Sequence, residues 1–134
     1  MNKLFLFFLI FLIGCSTQPY VKISGKSITV EVADEPREML NGLMHRESLC
    51  ENCGMIFVFL EETEQDFWMK DTLIPLDMIF IDGNNLIVDV ISAEPCKKDP
   101  CEHYIPNGKA KYVVEVNHGT FDENIIGKNV SINI

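Results

Sequence analysis

The sequence that decides the fold is Leu76-Asp77-Met78-Ile79-Phe80-Ile81, followed by Asp82-Gly83-Asn84-Asn85 and then Leu86-Ile87-Val88-Asp89-Val90-Ile91. Two apolar runs rich in β-branched and aromatic residues flank a cluster of turn-forming residues, and this pattern predicts a β-hairpin. The turn resembles a fragment of a calcium-binding loop. It lacks the remaining ligands of such a loop, so we interpret it as a hairpin turn.

Further strand signals lie on both sides of this hairpin. They cover residues 20–24, 27–33, 55–60, 67–70, 111–116 and 130–134. The first two flank Gly25-Lys26 and predict a hairpin with one face in water.

A short amphipathic helix is predicted over residues 35–45, because four apolar side chains recur there at helical spacing: Met39, Leu40, Leu43 and Met44. Asp34 is the expected N-cap, and Gly42 would let the helix approach a sheet closely. One helical turn is expected within residues 119–125. The predicted fold is mainly β (α+β): a small barrel- or sandwich-like domain of about seven or eight short strands with one or two short helices.

The chain has 134 residues and a net charge of −9, from 11 basic and 20 acidic side chains. This length suits one domain, and the uniform acidity argues against nucleic acid as a partner. Motifs typical of serine hydrolases, zinc proteases, P-loop enzymes and dinucleotide-binding enzymes are missing from the sequence. We therefore expect no cofactor, no metal and no catalytic residue.

The first fourteen residues have the pattern of a secretory signal, with Lys3 preceding the apolar run Leu4 to Ile13. That run is too short to span a bilayer. Leu12-Ile13-Gly14-Cys15 resembles a bacterial lipobox, in which the cysteine accepts a lipid. We predict a lipoprotein signal peptide at 1–14, a short lipidated tether at 15–19 and a single domain at 20–134. The predicted location is the bacterial cell envelope, outside the cytoplasm. Ser16 favours the outer membrane if the organism is Gram-negative.

The remaining cysteines are Cys50, Cys53, Cys96 and Cys101. Four cysteines outside the cytoplasm indicate disulfides and allow three pairings. A bond across the long gap between the two pairs would stabilise the fold more than one local bridge. Short-loop geometry favours local bridges instead, and two prolines in one loop favour Cys96–Cys101. A redox role for Cys50–Cys53 is disfavoured, because a strand rather than a helix follows it. A zinc site, with His103 as a substitute ligand, is the other alternative.

Several blocks resemble the domain-of-unknown-function 192 family and extend from about Ile28 to Ile134. They include Gly42-Leu43-Met44, Arg46, Gly54 to Phe59, Phe67-Trp68-Met69-Lys70, Ile74-Pro75-Leu76-Asp77, Phe80-Ile81-Asp82, Pro95-Cys96, Tyr104 and Ala110 to Glu115. The resemblance implies a compact, mostly β domain with a short helix after the first strands, and it implies no activity. Two features depart from the family: Asp71, where asparagine is common, and the Cys50–Cys53 pair.

The candidate site comprises polar residues within or beside the apolar blocks, together with one tryptophan: Arg46, Trp68, Lys70, Asp71 and Asp77. An unpaired buried carboxylate is unfavourable, so we expect a cation to meet Asp77, either Arg46 or Lys70. The cluster is then either a fold-stabilising ion pair or a pocket. In a pocket, Trp68 would form an apolar wall and a cation would bind an anion.

The leading functional hypothesis is a lipid-anchored envelope protein whose domain binds a small ligand or an envelope protein without catalysis. The alternative is an envelope hydrolase that uses Asp77 or Asp71 with Lys70.

Replacing the lipid-accepting thiol tests the predicted anchor. Cys15→Ser should accumulate as unlipidated precursor and move from the detergent phase to the aqueous phase in a detergent partition assay. Unchanged partitioning of the variant would contradict the anchor.

Overall fold

The structure, a computed structural model, describes residues 17–134, so residues 1–14 and Cys15 lie outside the described part of the chain. The described part contains nine strands, one α-helix and one turn of 3-10 helix. The strands are β1 Tyr20–Ile23, β2 Lys26–Ala33, β3 Cys53–Thr63, β4 Phe67–Trp68, β5 Leu76–Ile81, β6 Ile87–Ala93, β7 His103–Tyr104, β8 Ala110–Asn117 and β9 Val130–Asn133. The helix α1 spans Pro36–Asn41, and the 3-10 turn spans Glu123–Ile125.

Seven strands form one sheet in the order β6-β5-β8-β3-β2-β1-β9, and β4 pairs with β7 separately. Strands β2 and β3 are parallel, with α1 in their connection, and the other pairings in the sheet are antiparallel. A bridge between Leu86 and Asn129 joins the segments that precede the two edge strands. The sheet is therefore curled into a half-barrel, which confirms the predicted β-rich, barrel-like class.

The sheet carries an apolar cluster on each face. One cluster packs inside the curl and is rich in isoleucine and valine, including Ile56, Ile79 and Val114. The other cluster includes Phe57 and Phe80 and lies under α1, β4 and the adjoining loops. Since side chains alternate along a strand, β5 sends odd-numbered residues to the first cluster and even-numbered residues to the second. All six residues of β5 are buried in consequence.

The predicted hairpin at residues 76–91 is present, with its turn closed by Asp82. The Asp82 carboxylate accepts the backbone N–H groups of Asn84 and Leu86, each at 2.9 Å. Asn85 adopts a φ of 62°, which an asparagine tolerates better than most residues. The predicted hairpin turn is thus closed by Asp82, and the Gly83 N–H also donates to the Glu62 carboxylate of β3 at 2.9 Å.

Helix α1 is shorter than the predicted span of 35–45. It ends at Asn41 because Gly42, with a φ of 45°, leaves the helical conformation while its N–H still bonds to the carbonyl of Glu38. At the other end the Glu38 carboxylate accepts the N–H groups of Asp34 and Glu35, and Glu35 rather than Asp34 is the N-cap. A Cβ on Gly42 would lie 3.2 Å from the Phe57 ring, so the glycine does allow the close approach to the sheet.

The eight predicted strands all form, and β7 is an additional two-residue strand within the predicted loop of 92–108. Within residues 17–134, we find no helix that is both long enough and apolar enough to cross a bilayer.

Candidate functional site

Asp77 is completely buried, but the structure does not pair it with Arg46 or Lys70. Its Oδ1 accepts the Ser92 hydroxyl at 2.9 Å and lies 3.1 Å from Nδ1 of His118. Its Oδ2 accepts the backbone N–H groups of Thr120 and Phe121, at 2.9 and 3.1 Å. The expected pairing of Asp77 with Arg46 or Lys70 is therefore wrong: two backbone N–H groups, the Ser92 hydroxyl and the His118 imidazole meet the carboxylate instead.

These contacts give Asp77 an architectural role. They tie the segment after β8 to the hairpin of β5 and β6, on the face that holds the isoleucine-rich cluster. All four acceptor directions of the carboxylate are used. Asp77 consequently has no free oxygen for acid–base chemistry in this arrangement.

Arg46 and Lys70 each bind a different exposed acid. Arg46 forms an ion pair with Glu31 at 2.8 Å, and Lys70 forms one with Asp99 at 2.8 Å. The hydrogen bond to Asp99 raises the pKa of Lys70. These four side chains are all substantially exposed, so the pairs contribute little stability.

Asp71 is exposed and has a φ of 52°, and its carbonyl accepts the N–H of His45 at 2.8 Å. It forms a tight turn rather than a site with Asp77. Asp77 thus contacts neither Arg46 nor Lys70, and the structure does not assemble Asp77, Asp71 and Lys70 into one centre, as the hydrolase alternative requires.

The cysteines lie in the two local pairs. Cα atoms are 5.1 Å apart in Cys50–Cys53 and 5.4 Å apart in Cys96–Cys101, within the range that disulfides span. Both pairs are therefore disulfide-capable. In the described residues, the only close group of possible metal ligands is Cys96 with Asp99 and Cys101, and it includes neither the other cysteine pair nor His103.

Trp68 lies at the edge of an apolar cleft of about 410 Å³. The sheet forms the floor, while α1 with its following loop and β4 form the walls. Side chains lining the cleft include Met39, Leu40, Met44, Phe57, Phe59, Phe67 and Trp68. Its volume lies within the range of small-molecule sites.

Glu115 of β8 is the notable polar group in this cleft. It lies between Met55 of β3 and Met78 of β5 in the register of the sheet, and only 5% of its surface is exposed. Within residues 17–134 no hydrogen bond reaches its carboxyl group, whose oxygens are not fully sealed from solvent, and Glu115 lines the cleft. Burial raises the pKa of Glu115 from 4.5 to about 8.

A pair of polar side chains, Asp66 and His103, lies next to Trp68 at the edge of the cleft. Asp66 lines the rim, and its carboxylate lies 2.8 Å from Nδ1 of His103. The His103 ring lies beside the Trp68 indole, with centroids 6.4 Å apart, and Trp68 and Leu40 are 43% and 64% exposed. Apolar surface thus continues from the interior of the cleft to solvent on both walls.

The family profile of DUF192, described as Uncharacterized ACR, matches residues 20–134. The chain belongs to the DUF192 family. A curated relative, a UPF0127 protein from Thermococcus sibiricus (strain DSM 12597 / MM 739), is 31% identical over 105 residues. That match covers 75% of this chain, which spans 64% of the relative's length. The family is uncharacterised, so membership assigns the fold and no activity.

Two crystal structures share this fold. A protein of unknown function from Novosphingobium aromaticivorans DSM 12444 superposes with a TM-score of 0.73 and 26% identity, over 84% of this chain and 83% of that one. A candidate transcription regulator from Sinorhizobium meliloti 1021 gives a TM-score of 0.70 and 28% identity, over 85% of this chain and 91% of that one.

Sequence reasoning missed Glu115 as a site residue. It lies in the predicted strand 111–116, where the alternating pattern predicts that its side chain faces solvent. A usable signal was present, since Val113, Val114 and Val116 surround the acid with apolar residues on both faces.

Replacing Asp77 tests its architectural role. Asp77→Asn should lower the free energy of unfolding by roughly 2–4 kcal/mol, because an amide presents one acceptor oxygen where the carboxylate presents two. Asp71→Asn, an exposed control, should change it by less than about 0.5 kcal/mol. Urea denaturation of both variants gives the comparison, and equal stability of the two would contradict the assigned role.

Burial of Glu115 predicts a pH-dependent stability. Its folded pKa is raised, so its contribution to stability is complete below about 4.5 and is lost as the pH rises to about 8. Glu115→Gln should remove this loss. At about pH 8 its free energy of unfolding, measured by urea denaturation, should exceed that of the wild type by up to roughly 4 kcal/mol. The exposed substitution Glu64→Gln is the control. If the free energy of unfolding changes with pH in the same way in the wild type and in Glu115→Gln, the assignment of Glu115 as a buried, protonated carboxyl group is wrong.

Proposed function

We propose that this protein is a lipid-anchored protein of the bacterial cell envelope that binds a small, mostly apolar ligand in the cleft above Glu115, without catalysis. The lipobox-like sequence at Cys15 supports the anchor and the location. The observation that carries the binding function is the cleft itself, in which one nearly buried, unpartnered carboxyl group lies among apolar side chains. A concave, largely apolar site with one directional polar group is the usual design of a small-molecule site.

The arrangement favours binding over catalysis. Glu115 is the only acid on the cleft floor among the described residues, and Asp77 lies on the other face of the sheet with every acceptor direction occupied. Lys70 is engaged by Asp99 outside the cleft lining. A hydrolase would need at least two such groups converging on one bond.

The chain contains one tryptophan, Trp68, and it lies on the cleft. Its fluorescence is therefore a specific reporter of occupancy. A neutral apolar dye such as N-phenyl-1-naphthylamine should quench Trp68 emission and gain emission of its own at one saturable site.

Trp68→Ala should weaken dye binding at least about tenfold, because truncating an aromatic wall removes apolar contact worth about 1.5–3 kcal/mol. Dye emission measures this affinity when the tryptophan is absent. Leu60→Ala is the matched control, because Leu60 is 96% exposed and does not line the cleft. No saturable binding to the wild type, or equal losses in both variants, would refute the site.

A further inference from the structure

Both ionisable groups that line the cleft are acids. Glu115 lies on the floor and Asp66 at the rim, and within the described residues the lining contains no lysine, arginine or histidine. The ligand group that reaches the floor must therefore be compatible with a carboxyl group alone. A bound anion would meet acids with no compensating cation, which is strongly unfavourable in an apolar site.

Aromatic rings form much of the cleft in which this carboxyl group lies. Phe57, Phe59, Phe67 and Trp68 all line the cleft. The Phe67 ring packs edge-on against Phe57 at 5.1 Å and against Phe59 at 6.1 Å between centroids, so these rings form a continuous wall. Aromatic faces attract organic cations while also covering apolar surface. The net charge of −9 adds long-range attraction for cations over anions.

Building on the proposed binding function, we propose that the ligand is a monovalent organic cation with an apolar body, of the alkylammonium or arylammonium class, whose charged group contacts Glu115. The apolar body then occupies the space between the aromatic wall and the methionines of α1 and its loop. This assignment excludes fatty acids and other anionic amphiphiles, although an apolar cleft alone would accept them.

Binding of such a cation is coupled to a proton. Burial raises the pKa of Glu115 to about 8, so the empty cleft holds a neutral carboxyl group at neutral pH. A cation favours the carboxylate, and the displaced proton leaves to solvent. Affinity for a permanently charged cation should therefore increase with pH until Glu115 is ionised in the free protein.

The side chains around Glu115 leave the coupling between cation binding and the Glu115 proton measurable. Its strand neighbours present Met55 and Met78, and β4 presents Phe67 and Trp68. The charged residues of α1, Arg37 and Glu38, do not line the cleft. Asp66 and its partner His103 are the nearest titratable pair at the rim, and both persist in a Glu115 variant.

The test measures how well three probes displace the neutral dye. Each probe has an eight-carbon chain, and they are octyltrimethylammonium, 1-octanol and octanoate. We expect octyltrimethylammonium to bind at least about tenfold more tightly than octanol, and octanoate to bind more weakly than octanol. Glu115→Gln should abolish the preference for the cation and leave octanol binding within about twofold, because the amide keeps the shape and loses the charge. Glu123→Gln, a distant exposed acid, controls for the change in net charge and should retain the preference.

The pH dependence is the second readout. Between about pH 6.5 and about pH 9 the affinity for octyltrimethylammonium should rise about thirtyfold in the wild type and stay flat in Glu115→Gln. Asp66 and His103 are the same in both proteins, so the difference between the two pH profiles reports Glu115.

The outcomes separate this inference from the proposed function. If octanoate binds as tightly as the cation, or if Glu115→Gln keeps the cation preference, the ligand class is wrong while the cleft remains a binding site. If none of the three probes displaces the dye, both the inference and the proposed function fail.

Discussion

The structure depends on the burial of strands β5 and β8 on both faces of the curled sheet. All of β5 is buried, and so are Val113 to Val116 of β8, so a polar side chain in these stretches cannot reach bulk water directly. Each strand nevertheless carries one acid, Asp77 on β5 and Glu115 on β8. A buried carboxyl group must find donors or give up its charge, and these two acids follow the two different routes.

Asp77 takes the first route and Glu115 the second. Asp77 faces the inside of the curl, where the chain after β8 folds back and supplies the backbone N–H groups of Thr120 and Phe121. Glu115 faces the opposite side, where α1 and β4 approach without covering it fully. Because α1 ends early at Gly42, the following loop lies close to Phe57 and leaves a cleft rather than a sealed core.

The two acids therefore differ in whether the fold alone explains them. An acid that is fully hydrogen-bonded to its own fold is explained by stability and needs no ligand. An acid that lies in an open apolar cleft, without a partner, reduces stability above its ordinary pKa and is better explained by what it contacts when the cleft is filled. The cations that the sequence suggested for an anion site, Arg46 and Lys70, are instead engaged by Glu31 and Asp99 near the surface.

Much of the fold could be predicted from local pattern. The strand at 76–81, the Asp82 turn and the helix start near Pro36 depend on alternation, turn chemistry and capping, which act over a few residues. Spacing and loop geometry likewise favoured the local cysteine pair Cys96–Cys101. Two predictions failed. The helix ends locally at Gly42, earlier than the apolar spacing indicated, and Asp77 receives donors from residues more than forty positions away rather than Arg46 or Lys70.

The sequence by itself determined that the chain forms one small β-rich domain, where its strands and turns lie, and that its charge disfavours anionic polymers. Only the tertiary structure decided which donors satisfy Asp77, because residues 118–121 reach it from more than forty positions away. Only the tertiary structure likewise showed Glu115 to be a cleft residue rather than a solvated one. The reason is physical: alternation along a strand assigns a side chain to a face, whereas the elements that pack on that face determine whether it meets water, a donor or an open cleft.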